Sequence, residues 1–325
     1  MIHQILKRIL MSKSLKVLVT GGAGFIGSHM VDRLVKVGYD VSVIDNLSTG
    51  KIDNIQGLLS AGKIDFVKGD IRDEDLVTKS VASADVFIHF AAVTSVPFSV
   101  ANPDFTFDVN LLGSLNLMRA SVQANVDKFV FVSSCAVFGD PEILPVNEEY
   151  KTAPISPYAE SKLLGERYCL GFQQRELLRG VVLRFFNVYG PRQGMNDYSG
   201  VITKFIQRLR QKEPLVVYGD GSQTRDFVNV YDIVEGILAS MKSTEAEGQV
   251  FNVGSGKPTS INTLAKTVLE LAGADLKILY ENSRAGDIKD SYADISKAKK
   301  LLGFEPKVSL RDGLKMLLEE KKVVC

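Results

Sequence analysis

No apolar run in this 325-residue chain approaches the ~20 residues that cross a bilayer, so a membrane-spanning protein is not expected. Neither sign of charge is in excess. The net charge is +1 and no Lys/Arg-rich stripe stands out, which argues against nucleic acid as the main partner. Cysteine is scarce. Cys135, Cys169 and Cys325 are scattered, lack metal-ligand spacing and leave an odd thiol. No metal site is expected, and a cytoplasmic, reducing location fits. Met1 to Leu10 holds Lys7 and Arg8 inside a short apolar stretch and lacks the order of a secretory leader. It reads as a frayed extension or as an early start with Met11 as the working one; a membrane-surface helix is the other reading. Internal repeats and low-complexity segments are also absent. The 45% hydrophobic content is enough for a large core, in one large or two modest domains.

The most informative segment is Thr20-Gly21-Gly22-Ala23-Gly24-Phe25-Ile26-Gly27. The apolar, β-branched run Lys16-Val17-Leu18-Val19 before it suits a buried parallel strand, and Phe25 to Val37 reads as a helix. Between them Gly21 allows a tight turn. Gly24 lets backbone N–H groups approach a pyrophosphate at the helix N-terminus, and Gly27 lets the helix pack close to the strand. A second strand, Asp40 to Ile44, ends in Asp45, eighteen residues after Gly27. An acid at that point accepts from the adenosine ribose hydroxyls and repels a 2′-phosphate, so the cofactor is read as NAD rather than NADP.

Strand and helix patterns alternate through the first 190 residues, which predicts an α/β fold built on a doubly wound parallel sheet of Rossmann type. Further strands are expected at Ile64–Val67, Asp85–Phe90, Lys128–Val132 and Val181–Phe186. Long helical patterns run from about Asp104 to Asn125 and from Ser156 to Leu178, the second opened by Ser156-Pro157. After Asn187 the texture changes. Tyr189 to Gly194 reads as a loop, Pro214 to Tyr218 and Arg225 to Val230 as strands, and Asp294 as the cap of a helix that stops at Gly303. The expected division is a dinucleotide-binding domain over 14–187, with segments near 226–255 returning to it, and a smaller α/β substrate lobe mainly over 188–325. That lobe should sit over the open end of the sheet, where doubly wound folds bind ligands.

The chemistry is placed in Ser156-Pro157-Tyr158-Ala159-Glu160-Ser161-Lys162. Tyr158 and Lys162 are four apart on a helix and project from one face. A free phenol, with a pKa near ~10, is a poor base at neutral pH. A nearby ammonium and an oxidised nicotinamide both favour its phenolate, which then removes a proton from a substrate hydroxyl while hydride leaves the same carbon. A third hydroxyl should lie at the end of the preceding strand, where Ser133 and Ser134 stand.

With these residues in place, the chain resembles the extended short-chain dehydrogenase/reductases of the NAD-dependent sugar epimerase/dehydratase group, and most closely the UDP-glucose 4-epimerases. The resemblance runs from about Leu15 to the last helix. It is carried by T-G-G-A-G-F-I-G-S-H, by D-N-L-S-T-G from Asp45, by G-D-I-R-D from Gly69 and by H-F-A-A from His89. It continues in N-L-L-G-S-L-N-L from Asn110, S-P-Y-A-E-S-K from Ser156, R-F-F-N-V-Y-G from Arg184 and R-A-G-D-I from Arg284. By position it implies that Phe25 and Ile26 join the glycines around the cofactor. Asp45 and Asn46 meet the adenosine ribose, and Asp70 and Ile71 flank the adenine. Phe90, Ala91 and Ala92 line the pyrophosphate and ribose, and Asn110 supports the active-site hydrogen bonds. Ser134 takes the catalytic serine/threonine position beside Tyr158 and Lys162. Asn187, Arg225, Arg284 and Asp287 hold the diphosphate and uridine of a UDP-sugar, Tyr218 stacks near the uracil, and Ser291 faces the sugar. Two arginines suit a diphosphate through bidentate, charge-assisted bonds. The family also implies a homodimer, paired through the two long helical patterns.

Two departures sharpen the expectation. Phe138 stands where the family usually has tyrosine, which should affect packing more than chemistry. The 4,6-dehydratases carry an Asp-Glu pair just after the catalytic hydroxyl, whereas here Cys135 and Ala136 follow Ser134, so a general acid for eliminating water is missing. The expected activity is an isomerase, a UDP-hexose 4-epimerase that interconverts UDP-glucose and UDP-galactose through a transient 4-keto sugar. The small Ser291 should leave room for the N-acetylhexosamine pair as well. The alternatives are a UDP-glucuronate epimerase or decarboxylase, and a non-catalytic NAD-sensing protein.

Overall fold

A computed structural model describes residues 14–194, 200–283, 286 and 288–320. Met1 to Leu10, Arg284, Asp287 and Cys325 lie outside the described residues. The strands, in chain order, are β1 (Lys16–Thr20), β2 (Asp40–Asp45), β3 (Ile64–Lys68), β4 (Val86–His89), β5 (Lys128–Ser134), β6 (Gly180–Phe185), β7 (Asn187–Tyr189), β8 (Leu215–Tyr218), β9 (Thr224–Asn229), β10 (Val250–Val253), β11 (Pro258–Ser260), β12 (Ile278–Glu281) and β13 (Asp290–Ser291).

Seven of them form one parallel sheet in the order β10-β6-β5-β4-β1-β2-β3. The apolar strings of these strands are nearly continuous because both faces are covered by helices. Val17, Val19, Val130 and Val132 enter one core layer, while Leu18, Phe129 and Phe131 enter the other. Each such fully buried side chain contributes roughly 1.5–3 kcal/mol relative to exposure. Strand order reverses between β1 and β4, so a crevice opens beyond their C-terminal ends, between the Thr20-Gly21 turn and the His89-Phe90 turn.

β7, β9, β11 and β13 form a separate small sheet, and β8 pairs β12. These rest on a second core that includes Ile202, Phe205, Leu215, Leu264 and Leu314.

Three local expectations need adjusting. Tyr189 lies in β7, paired with Asn229 of β9, and the loop begins after it. The helix Ser296–Leu302 has Ile295, not Asp294, at its N-cap position. Asp294 is held back by its own N–H, which donates to the Val146 carbonyl at 2.8 Å; its side chain still accepts from the Ser296 N–H at 2.8 Å. The pattern over 104–125 is helical but not uniform. Pro103–Phe107 and Ser114–Gln123 are α-helical, and Asp108–Gly113 between them is a π-helical turn. Such turns widen the helix locally and re-aim side chains.

Candidate active site

The glycine loop begins at the C-terminal end of β1. Gly21 has φ +69°, and a Cβ there would lie 2.8 Å from the Ala91 nitrogen. The turn is pinned on both sides: the Gly21 N–H donates to the Ile44 carbonyl (2.8 Å), and the Phe90 N–H donates to the Thr20 carbonyl (3.1 Å). The helix Phe25–Lys36 starts from Gly24 with no side chain capping it, and its first turn is tight because Gly27 lies against the Gly21 carbonyl. An uncapped helix start beside a cradle that any Cβ would fill suits a phosphate group.

Asp45 sits at the end of β2 with its carboxylate turned to this loop. One oxygen accepts from the Ala23 N–H (3.0 Å) and the other from the Leu47 N–H (2.8 Å). Burial pushes its pKa up. Asn46 donates to Asp70 (3.1 Å), which Arg72 also grips through two bonds of 2.9 Å; the Arg72 guanidinium pulls the Asp70 carboxyl down to about 2. Ile71 is buried next to it, and Phe90, Ala91 and Ala92 follow β4 along the opposite wall. The donor set, the glycine cradle and the acid at the end of β2 therefore fit a dinucleotide.

The second group of residues gathers at the end of β5. The tyrosine helix Pro157–Gln174 is started by Ser156, whose hydroxyl accepts from the Ala159 N–H (3.2 Å), with proline in its first turn. Tyr158 is therefore in the first turn of this helix, beside the Ser134 hydroxyl, which favours its phenolate. Burial pushes the phenol up to about 12. Lys162, one turn further on, is 4% exposed. Its ammonium donates to the Val132 carbonyl (2.9 Å) and lies over the Phe131 ring at 5.3 Å from the centroid. Burial lowers it to about 8, and the Glu166 carboxylate works in the opposite direction. Cys135, directly after Ser134, is driven by burial to about 12, so its thiol stays protonated. Phe138 is buried among Val137, Val146, Leu163 and Phe186, with the Arg184 guanidinium 4.8 Å from its ring centroid.

The small sheet brings further residues to the same end. Arg225 of β9 donates to the Thr224 and Lys289 carbonyls (2.8 and 3.3 Å), and its charge is felt at the Cys135 thiol. Ser291 is buried on β13, directly opposite Arg225 in the parallel register. Asn187 is exposed at the start of β7, opposite Phe227, and Tyr218 ends β8 with its carbonyl accepting from Gln223 Nε2 at 2.7 Å. The other two residues assigned to the diphosphate and uridine, Arg284 and Asp287, fall outside the described residues.

Sequence reasoning missed three buried groups here. The first is a hydrogen-bonded chain beneath the crevice. The Ser114 hydroxyl donates to the Asn110 carbonyl, so His89 Nε2 must donate to Ser114 (2.8 Å) and Nδ1 accepts from Thr20 (2.7 Å). Burial holds His89 well below its usual pKa, consistent with this neutral tautomer. The chain continues through the Asn110 side chain, which ties both backbone groups of Val93 and reaches the Ser161 hydroxyl (3.0 Å) in the tyrosine helix. The signal was present as a lone histidine in an apolar strand. The second group is the buried pair of Glu166 and Arg184, signalled by a carboxylate four residues after Lys162. The third is Asp226, which accepts from the N–H groups of Ser255, Gly256 and Ala293 (2.7, 2.9 and 3.1 Å) and so clamps the loops beside Arg225 and Ser291.

Comparison with known proteins agrees with this arrangement. Residues 17–254 match the NAD dependent epimerase/dehydratase family. A protein of Mycolicibacterium smegmatis named UDP-glucose 4-epimerase is 37% identical over 307 residues, covering 94% of this chain and 98% of its own. The crystal structure of UDP-glucose 4-epimerase with UDP-glucose from Thermotoga maritima superposes with a TM-score of 0.90 at 38% identity, covering 95% of this chain and 99% of that one. A UDP-N-acetylglucosamine 4-epimerase from Methanobrevibacter ruminantium, in complex with UDP-N-acetylmuramic acid, gives the same TM-score and identity over 94% and 98%. The chain therefore belongs to the NAD dependent epimerase/dehydratase family.

Proposed function

We propose that the chain is a UDP-hexose 4-epimerase that interconverts UDP-glucose and UDP-galactose and also accepts the N-acetylhexosamine pair. The observation that carries this reading is the gathering of Ser134, at the end of β5, with Tyr158 in the first turn of its helix and the buried Lys162 one turn behind. Gly21, Gly24, Phe25, Ile26, Gly27, Asp45, Asn46, Asp70, Ile71, Phe90, Ala91, Ala92, Tyr158 and Lys162 are the residues that would hold NAD, with Asn110 supporting them from the π-helical turn. NAD held there supplies a reversible hydride acceptor and, when oxidised, a positive charge near the phenol.

Tyr158 then acts as the base. At about 12 its hydroxyl stays protonated near neutrality, so ionisation depends on neighbouring positive charge, of which the Lys162 ammonium is one source. The phenolate takes the proton of the sugar C4 hydroxyl with Ser134 in relay, and C4 becomes a ketone. Arg225, Arg284, Asn187 and Asp287 keep the uridine diphosphate anchored while the flat sugar turns over, and Tyr158 returns the proton once the opposite face is reduced. Ser291 leaves room beside C2. Residues 14–187 with 226–255 supply the cofactor half, and 188–325 mainly supply the sugar half. A protonated Cys135 thiol after Ser134 is a poor acid for expelling a hydroxyl, which favours epimerisation over dehydration.

The test is incubation of purified protein, with no added cofactor, with UDP-glucose, UDP-galactose and their N-acetyl analogues. The expected product has unchanged mass and inverted C4. Tyr158→Phe should lower kcat by roughly 10²–10⁴-fold. A product lighter by CO₂ from UDP-glucuronate, or a Tyr158→Phe variant with full turnover, would reject the reading.

A homodimer is part of the same proposal. Val96 and Val100 on one short helix, Phe105 on the next, Leu112 on the π-helical turn and Tyr168 on the tyrosine helix are exposed large apolar residues on elements that pack together. Light scattering on wild type and Leu112→Glu should give dimer and monomer masses; a monomeric wild type would refute it.

A further inference from the structure

We propose that Glu166 is a positioning residue for proton transfer: its carboxylate keeps the Lys162 ammonium charged in a site that otherwise expels charge. The inference rests on the roles given above to Tyr158 and Lys162 and adds a third member to their helix face.

Tyr158, Lys162 and Glu166 succeed one another at four-residue spacing, so they lie on one side of the tyrosine helix. Glu166 is 2% exposed. Arg184 Nε donates to one of its oxygens (2.9 Å) and Nη2 to the other (2.7 Å), and Ser133, next to Ser134, donates a third bond. A buried ion pair is weak as a source of stability, because two apolar side chains of the same volume would serve as well. Its position relative to Lys162 gives it another use.

The groups facing Lys162 can be taken element by element. Its own helix presents Tyr158 and Glu166. β5 presents the Phe131 ring and the Val132 carbonyl, neither of which carries charge. β4 presents His89, which is neutral. β6 presents Arg184, which is bound to both Glu166 oxygens. Burial pulls Lys162 down, and among the described residues the carboxylate that opposes it is Glu166. With that carboxylate gone and Arg184 left unpaired, the ammonium loses its support at neutral pH and Tyr158 loses a neighbouring cation.

The experiment follows the lysine itself. The holoenzyme is labelled with ¹³C at lysine Cε, and the Lys162 signal is assigned by its disappearance in Lys162→Met. Wild type should titrate below the ordinary lysine range, as burial directs. Glu166→Gln should move the midpoint down by about one to two pH units, the shift expected for one charge removed a helical turn away at an effective dielectric of about 20. Arg184→Met, which frees the carboxylate, should move it up. The alkaline limb of kcat/KM should follow both shifts in their opposite directions. A merely structural pair would lower kcat at every pH and leave the midpoint in place in both variants. If either single variant fails to fold, Glu166→Leu/Arg184→Met, which leaves no charge buried alone, takes the same titration, and its midpoint should lie below wild type. An unchanged midpoint in Glu166→Gln, or in the double variant where that is the one measured, overturns the proposal. An inactive wild type would overturn the catalytic reading instead, and the lysine titration would still report.

Discussion

Replacing Gly21 by alanine should damage the crevice more than its single methyl suggests. Two costs add. At φ +69° an L-residue adopts the left-handed region, which costs roughly 1–2 kcal/mol. The added Cβ would also sit 2.8 Å from the Ala91 nitrogen and 3.1 Å from the Phe90 carbonyl carbon, both backbone atoms. Neither neighbour gives way easily, because the turn is tied to β2 through Ile44 and to β4 through Phe90. Overpacking of this kind costs about 1–3 kcal/mol, so the total is roughly 2–5 kcal/mol. Gly38 provides the control. Its φ is +91° but a Cβ there meets nothing within 4 Å, so Gly38→Ala carries the backbone cost alone. Urea unfolding of the cofactor-free proteins, followed by far-ultraviolet circular dichroism, should show Gly21→Ala less stable than Gly38→Ala by about 1–3 kcal/mol. Calorimetric titration with NAD should show weakened binding only in Gly21→Ala, by roughly 10–100-fold if about 1.4–2.8 kcal/mol of the strain is relieved by moving the loop. Equal stabilities and equal NAD affinities in the two variants would refute the claim that the Ala91 backbone, and not the turn alone, demands glycine.

Asp226→Asn keeps the volume but turns an NH₂ group toward donors that now converge on a carboxylate, so unfolding measurements should record a loss of roughly 2–4 kcal/mol. Because those donors belong to the loops beside Arg225 and Ser291, KM for the UDP-sugar should rise more than kcat falls; the reverse split would place Asp226 elsewhere in the mechanism. Ser291→Tyr adds a ring at a buried position opposite Arg225, and kinetics on both sugar pairs should show the N-acetyl substrates lost first. An unchanged preference in that variant would mean that another wall shapes the pocket.

The sequence revealed most where burial on two faces leaves little choice. β1, β4, β5 and β6 read as strands because alternate residues feed two separate core layers, and a string such as Phe129-Val130-Phe131-Val132 cannot satisfy both in any other form. The glycine loop was equally legible, since its turn and close approach are local. What stayed hidden depends on contacts between distant segments. Helical spacing puts Tyr158 and Lys162 on one face, but it cannot say that the lysine rests on the Val132 carbonyl, because that acceptor comes from a strand thirty residues earlier. Asn110 was placed by family resemblance, and only the π-helical turn shows how it reaches both Val93 and Ser161. His89 entered the sequence reading only as the first residue of the H-F-A-A stretch. Its two ring nitrogens join Thr20, before the glycine loop, to Ser114, on the way to Asn110 and the tyrosine helix. Polar groups with no water around them must find partners inside the protein, and the partners available at that depth come from the strands and helices that meet at the crevice. The buried polar residues that periodicity treats as exceptions are therefore the ones that set the alignment of the cofactor loop against the tyrosine helix.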